Sequence, residues 1–468
     1  MDKELAQEKN LYVEEVINKA RKAMDSIEHY DQKTVDKLCQ AVGWAISNET
    51  TFTRLARMGV KESGIGDIEG RPAKRFKVHG VLRDCLRQKS VGIVEEIPER
   101  GIVKYAKPAG VIVSLVPVTN PVMTPATTAI FAIKAKDAVI FCPHPRALQT
   151  IRQTVEVLRQ ALADQGAPSD LFQCVEKPSF SLTDALMAEA DLVMATGGAN
   201  MVKAAYSSGT PAFGVGPGNA TMVVDETADV DVAAHYVKIS KMNDNGSGCS
   251  ADGNVLVSSA IYEEFLEALE SEGGYVASDN EKRQLATAMW DEVGRRTIDT
   301  VACPASRIAE KAGFNLPRDK QFIIVQQQEI GPEHPFCREK LSPVLAIYKF
   351  ANFEEALDMV QGIFQVGGRG HSCSIYSHNE EHIHRLALTA PVSRIMVRQP
   401  TSLANSGSFT NGMPMTASLG CGFWGNNITN ENIHLKHYLN FTWVSRPIPE
   451  DRPTEKELFG EFYGSKTY

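Results

Sequence analysis

In the segment Asp244-Asn-Gly-Ser-Gly-Cys249, a cysteine follows two glycines within a turn-forming stretch. A thiolate is a far better nucleophile than a thiol, and backbone N–H groups in a tight loop or at a helix start lower a thiol's pKa. Gly246 and Gly248 remove side chains around the sulfur and leave room for a substrate. Read alone, the pattern suits covalent catalysis or a structural thiol. In Val193-Met-Ala-Thr-Gly-Gly198 a strand ends in two glycines and a helix begins near Asn200. Glycines let backbone approach a phosphate, and a helix N-terminus favours its charge. The segment lacks GxGxxG, and an ordinary strand-to-helix turn has the same look.

Two further strand ends carry polar chemistry. In Pro117-Val-Thr-Asn-Pro121, the second proline biases Asn120 away from helical backbone and suits an outward amide donor, or a simple turn. In Cys142-Pro-His-Pro-Arg146, His144 and Arg146 suit a nucleotide's ribose or phosphate, or solvent. The run His378-Asn-Glu-Glu-His-Ile-His384 reads as a helix face, with Ser377 and Glu380 as a capping box. HExxH and thiolate-rich zinc spacings are absent, so no metal is expected.

The elements that must position these residues alternate. Residues 8–28 have helical apolar spacing, and 34–59 continue in that style. The basic stretch 71–80 reads as a solvated helix end or loop, or as a site for a phosphorylated ligand. Strands are expected at 110–117, 137–143, 191–198 and near 211–215, with helices at 125–135 and 147–165. After Asp225 the rhythm restarts: helices at 229–242, 263–272 and 280–295, a strand running into a helix at 254–262, and strands at 321–328 and 343–350. The fold class is therefore α/β, with mostly parallel sheets covered by helices. A strand at 437–446 stands outside either rhythm, and its expected partner is 102–107. Such a flap suits sheet augmentation in a neighbouring subunit.

The 468 residues carry 49 basic and 57 acidic side chains, a formal charge of -8, which argues against nucleic-acid binding. The start MDKELAQEKN lacks the apolar core of a signal peptide, and no apolar run is long enough to cross a bilayer. Nine scattered cysteines without a CxxC pair point to reduced thiols and a cytoplasmic location; microcompartment association stays open.

Together, VTNP (118–121), CPHPRA (142–147), ATGGANMVKAAYSSGTPAFGVGPGN (195–219), DNGSGC (244–249), EKLSPV (339–344), GGRGH (367–371) and LGCGFWG (419–425) resemble the aldehyde dehydrogenase superfamily. The likeness is to its CoA-acylating branch and spans about residues 10–448. It implies a Rossmann-like cofactor-binding domain in two parts (1–94 and 109–228) and an α/β catalytic domain (229–424). Oligomerisation strands at 95–108 and in the C-terminal segment 425–468 complete the arrangement, in a homodimer or homotetramer. By the same resemblance Cys249 is the nucleophile, and Asn120 with the Cys249 N–H forms the oxyanion hole. Thr119, Thr196, Gly197, Gly198 and Gly216 lie along an NAD or NADP cofactor, with Glu339 on its nicotinamide-side ribose.

Hydrolytic relatives activate water with a glutamate, and that position falls at Val215 and Gly216, where no carboxylate stands. A thiol such as coenzyme A needs less help, so the expected reaction is reversible oxidation of a small aldehyde to its acyl-CoA. Pro145 occupies the place where NAD-preferring relatives carry a ribose-binding glutamate, so NADP competes with NAD. The run Ser250-Ala-Asp252-Gly253 departs from the serine and glutamate common after the nucleophile. Arg369, in the variable place of GGRGH, and Arg398 are candidates for binding an anionic substrate. Sulfoacetaldehyde or succinate semialdehyde would then fit better than acetaldehyde or propionaldehyde. A glutamyl-phosphate-reductase-like enzyme is the remaining alternative.

Overall fold

The computed structural model describes residues 2–465, so Met1 and 466–468, at the outer ends of the first and last expected segments, lie outside the described residues. Its framework is two parallel sheets and one small antiparallel one. The strand Val111–Val116 is buried at all six positions, as a mostly apolar run with four β-branched residues favours when helices cover both faces. It is the centre of a five-stranded sheet ordered Phe172–Cys174, Ala138–Pro143, Val111–Val116, Leu192–Thr196, Ala212–Val215. Chain order runs outward in one direction from Val111–Val116 and then resumes on its other side. The switch point therefore lies between Val111–Val116 and Leu192–Thr196, where open α/β sheets bind ligands at the strands' carboxyl ends. The loops carrying Asn120 and Gly197–Gly198 leave from those two ends.

The second sheet has seven parallel strands, in the order Gly274–Val276, Phe322–Gln327, Val344–Phe350, Asn254–Ser258, Thr221–Val224, Cys373–Tyr376, Ile395–Val397. Thr221–Val224 pairs with both Asn254–Ser258 and Cys373–Tyr376. The sheet thus changes before residue 221, although the sequence reading assigned residues up to 228 to the cofactor-binding half. The reason is the glycine-rich 214–218 stretch, which breaks the strand run and carries the chain across.

The small sheet holds Gly92–Ile97, Ile102–Pro108 and Leu439–Ser445. Leu439 pairs with Pro108 and Ser445 with Ile102, the expected long-range partnership. The hairpin strand Gly92–Ile97 begins ahead of the expected 95–108 range.

Three local readings change. Residues 34–59 form two helices, Gln32–Ser47 and Glu49–Ser63, because extended Asn48 interrupts the run and its side chain caps the second by accepting from Thr51 N. The helix of the histidine run is Glu380–Thr389, but its cap is Asn379, which accepts from Glu381 N and His382 N; the Ser377 hydroxyl instead donates to Asp225. The basic stretch is not solvated at its start: Arg71 is 3% exposed, and the segment runs through a tight turn into helix Arg75–Leu86. No helix among the described residues is long and apolar enough to cross a membrane.

Candidate active site

Helix Val230–Met242 delivers the chain to the cysteine loop. Asp244, Asn245 and Gly246 then take consecutive left-handed backbone, with φ of 54°, 53° and 66°. Asp, Asn and Gly are the residue types that tolerate it. A side chain at Gly246 would also meet the Ser342 carbonyl at 2.7 Å. The turn buries the Asp244 carboxylate as a hub. It accepts from Asp67 N (2.7 Å), Arg71 Nε (3.0 Å) and Nη2 (2.8 Å), Lys74 Nζ (2.7 Å) and Ser247 Oγ (2.7 Å). Burial alone would raise this carboxyl's pKa; Lys74 and Arg71 more than offset that and hold it down at about 2. The opening turn of the basic helix is thereby fastened to the loop that presents the thiol.

Cys249 lines a cavity of about 630 Å³. Its Sγ is 3.0 Å from His371 Nε2. His371 Nδ1 lies 2.9 Å from Ser372 Oγ, which also accepts from Asn405 Nδ2 at 3.0 Å. The Arg394 guanidinium donates to the His371 carbonyl at 3.1 Å and fixes its backbone. Burial, with the Arg394 charge, pushes His371 down to about 3; burial, with Glu339, pushes the Cys249 thiol up to about 12. The resting pair is therefore neutral, with the thiol hydrogen on the side of the imidazole lone pair. The sequence reading quoted GGRGH yet gave His371 no role. The one signal in the sequence is its place in the GGRGH motif; its burial and its contact with the sulfur 122 residues away belong to the fold.

Asn120 shares this cavity. Its Oδ1 accepts from Lys74 Nζ at 2.9 Å, which commits the amide's other end, the Nδ2 donor, to the cavity. Gly218 passes so close to the cysteine that an added Cβ would sit 1.8 Å from the Cys249 carbonyl.

On one side of Cys249 the cavity is lined by Thr119, His144, Thr196, Gly197, Gly198, Gly216 and Glu339. A Cβ at Gly198 or Gly216 would meet nothing within 4 Å, so backbone faces open space there. Gly198 caps helix Ala199–Tyr206, whose first N–H groups head the same opening. Thr196 Oγ1 lies 2.9 Å from Ser418 Oγ. Glu339 Oε1 accepts from Gly218 N at 3.1 Å, and burial lifts its carboxyl to about 8. An open glycine cradle at a sheet switch point, with hydroxyl and carboxyl groups along one groove, fits a dinucleotide. His144 lines the groove, with Nδ1 accepting from Arg146 N at 3.1 Å. Arg146 is not in the lining, and its guanidinium donates to the Ser63 carbonyl.

The two arginines chosen for an anionic substrate are elsewhere. Arg369 and Arg398 are exposed and neither lines the cavity. Arg398 Nη1 instead donates to the Ser377 carbonyl at 2.5 Å. The lysines and arginines that do line the cavity are Lys74 and Lys77. Among the histidines of the 378–384 run, His382 is 2.8 Å from Asp225 and stacks on Phe353. Asp225, Glu226 and His382 each bring one atom within 4.8 Å of the others, and the Asp225–His382 contact already joins two of the three.

A sequence profile described as the aldehyde dehydrogenase family matches residues 3–289. A sulfoacetaldehyde dehydrogenase from Acholeplasma sp is 44% identical over 451 residues, covering 95% of this chain and 93% of its own. A sulfoacetaldehyde dehydrogenase (acylating) from Bilophila wadsworthia is 39% identical, with 96% and 98% covered. The crystal structure of an acetylating aldehyde dehydrogenase from Geobacillus thermoglucosidasius superposes with a TM-score of 0.92 at 33% identity, covering 96% of this chain and 99% of that one. With matches of this extent joined to a loop-borne thiol, an amide donor and a dinucleotide cradle around one cavity, the chain belongs to the aldehyde dehydrogenase family.

Proposed function

We propose that this chain oxidises a small aldehyde to its acyl-CoA, with NAD or NADP as cofactor and coenzyme A as co-substrate. One observation carries the reading. The cavity wall at 215–217 is Val-Gly-Pro, with no carboxylate to activate water, while His371 Nε2 stands 3.0 Å from the Cys249 sulfur. The names of the relatives above support the acylating outcome and favour sulfoacetaldehyde as the aldehyde.

The chemistry follows from the chain's own groups. Cys249 Sγ attacks the aldehyde carbon as its proton passes to His371 Nε2. The Asn120 amide and the Cys249 N–H hold the oxygen of the hemithioacetal. A nicotinamide held beside Cys249 by the glycine cradle and Glu339 would supply the hydride acceptor, and Cys249 would then carry the acyl group as a thioester. His371 releases its proton to solvent and takes the proton of the incoming CoA thiol. That sulfur attacks the thioester, and the expelled Cys249 sulfur recovers a proton from His371. Thr196, Gly197, Gly198, Gly216 and Glu339 hold the cofactor. His144 serves the adenosine side, and Arg146 supports it by anchoring the turn to Ser63. The missing carboxylate at Pro145 removes a group that would repel a 2′-phosphate. The nine free cysteines suit a reducing cytoplasm, and the three-stranded flap suits a homodimer or homotetramer.

The test is NADH or NADPH formation from acetaldehyde, propionaldehyde, sulfoacetaldehyde and succinate semialdehyde, with and without CoA, beside Cys249→Ala. CoA-dependent turnover that Cys249→Ala abolishes is expected. Free acid formed without CoA would sink the acylating reading and reveal a water-activating base.

A further inference from the structure

The cavity that holds Cys249 is also lined by Lys74 and Lys77 and by residues of the loop 402–409, whose carbonyls Lys77 touches. The charges of the lining are one-sided. Glu339 is the only carboxyl group in the lining among the described residues, and it belongs to the cradle side. Lys74 is already engaged by Asp244 and Asn120. Lys77 is not: its ammonium donates only to neutral carbonyls, those of Leu403 (3.4 Å), Ser406 (3.3 Å) and Gly407. Asp84, the acidic group whose charge reaches it, is itself held by Arg83 Nε (2.8 Å) and Met415 N (2.9 Å). Burial lowers Lys77 to about 8, the behaviour of a cation short of a counter-charge. Its three donors are met by these carbonyls, but its charge has no carboxylate in direct contact, so an anion entering the cavity would be drawn to it and could take the place of one carbonyl.

We propose that Lys77 binds the anionic tail of the aldehyde, a sulfonate at short range from the carbonyl, with Ser402, Ser406 and Ser408 in the same wall as hydrogen-bonding partners. This rests on the aldehyde dehydrogenase reading above and deepens it to substrate class. It also reassigns to Lys77 the part that the sequence suggested for Arg369 and Arg398. The preference belongs to a compact, charged two-carbon aldehyde, because Lys77 and Lys74 lie one helical turn apart and Lys74 already touches the oxyanion donor.

The experiment compares kcat/KM for sulfoacetaldehyde, succinate semialdehyde and propionaldehyde in the wild type, Lys77→Met and Lys77→Arg, with CoA and cofactor saturating. The expected result is a fall of about tenfold or more in the sulfoacetaldehyde-to-propionaldehyde ratio in Lys77→Met, carried by KM and partly rescued in Lys77→Arg. Ethanesulfonate, which has the tail without the aldehyde, should inhibit the wild type competitively and Lys77→Met at least several-fold more weakly. A ratio unchanged in Lys77→Met would overturn the proposal, because equal losses on both aldehydes mean that Lys77 only braces the loop. CoA-dependent turnover of propionaldehyde without any of sulfoacetaldehyde would overturn it too, while leaving the acylating reading intact. Failure of every aldehyde to turn over with CoA would instead count against that underlying reading, and ethanesulfonate binding, followed by calorimetry, would still decide the role of Lys77.

Discussion

At the scale of single residues, the Cys249–His371 pair makes the sharpest claim. With the thiol pushed up to about 12 and the imidazole down to about 3, neither carries charge near neutrality. The thiolate fraction of such a group grows tenfold with each pH unit below its pKa, so alkylation of Cys249 by iodoacetamide should climb without a plateau from about pH 6 to about 9. A plateau below about pH 8 would mean that the free enzyme holds a thiolate–imidazolium pair. Replacing His371 by alanine removes the proton acceptor and should lower kcat by roughly 100-fold or more, the range for a lost general base, with KM for the aldehyde little changed. A His371→Ala enzyme of normal kcat would assign the proton transfers to another group. Sequence pointed to Cys249 and Asn120 through the motifs of the family it resembles, and the structure brings both to one cavity. Sequence did not suffice for His371, which reaches the sulfur across 122 residues of chain. Nor could it reject Arg369 and Arg398, since charge is readable from a sequence but the direction in which a side chain leaves the backbone is not.

At the scale of elements, Asp244 is the joint between the left-handed cysteine turn and the helix that follows Arg71. Its carboxyl is held at about 2 in the folded protein, below the value near 3.8 of an unperturbed group. The stabilisation is therefore present in full above about pH 4 and is lost as pH falls through about 2, a contribution of about 2 kcal/mol by linkage. Thermal midpoints measured across that window should drop steeply for the wild type and more shallowly for Asp244→Asn. At neutral pH the same substitution strands Arg71 and Lys74 as buried cations and should cost about 3 kcal/mol or more. An Asp244→Asn midpoint equal to wild type at pH 7 would contradict the hub. Strands such as Val111–Val116 were legible because a short, mostly β-branched run ending in a turn admits few readings. The buried Arg71 was not, because a basic stretch reads as solvated until its counter-charge, 173 residues away, is in place. The change of sheet before Thr221 was equally hidden: a four-residue buried strand looks the same in either sheet, and pairing alone assigns it.

For the whole molecule, the long-range strand pair matters most. Leu439–Ser445 pairs on one side with Ile102–Pro108 and has no strand on its other side among the described residues. Such an open edge invites another chain, and natural proteins normally blunt or cover it. Phe441 and Trp443, two residues apart and so on one face of the strand, are 42% and 55% exposed. Apolar side chains beside an unpaired strand edge are what an interface between copies would bury, and the partnership with 102–107 holds that edge out from both parallel sheets. Replacing Phe441 and Trp443 together by aspartate should therefore reduce the particle mass in light scattering from an oligomer to the single chain. The circular dichroism should stay unchanged, because neither Phe441 nor Trp443 belongs to or packs against a hydrophobic core. If the doubly substituted protein keeps the wild-type mass, subunits meet through another surface. If the wild type is itself a monomer, the flap is an ordinary surface ribbon. Where dissociation does occur, comparing CoA-dependent turnover before and after it measures whether the cavity, which this chain lines by itself, works without a neighbour. Retained turnover is the expected result, since Cys249, His371, Asn120 and the glycine cradle all come from one subunit.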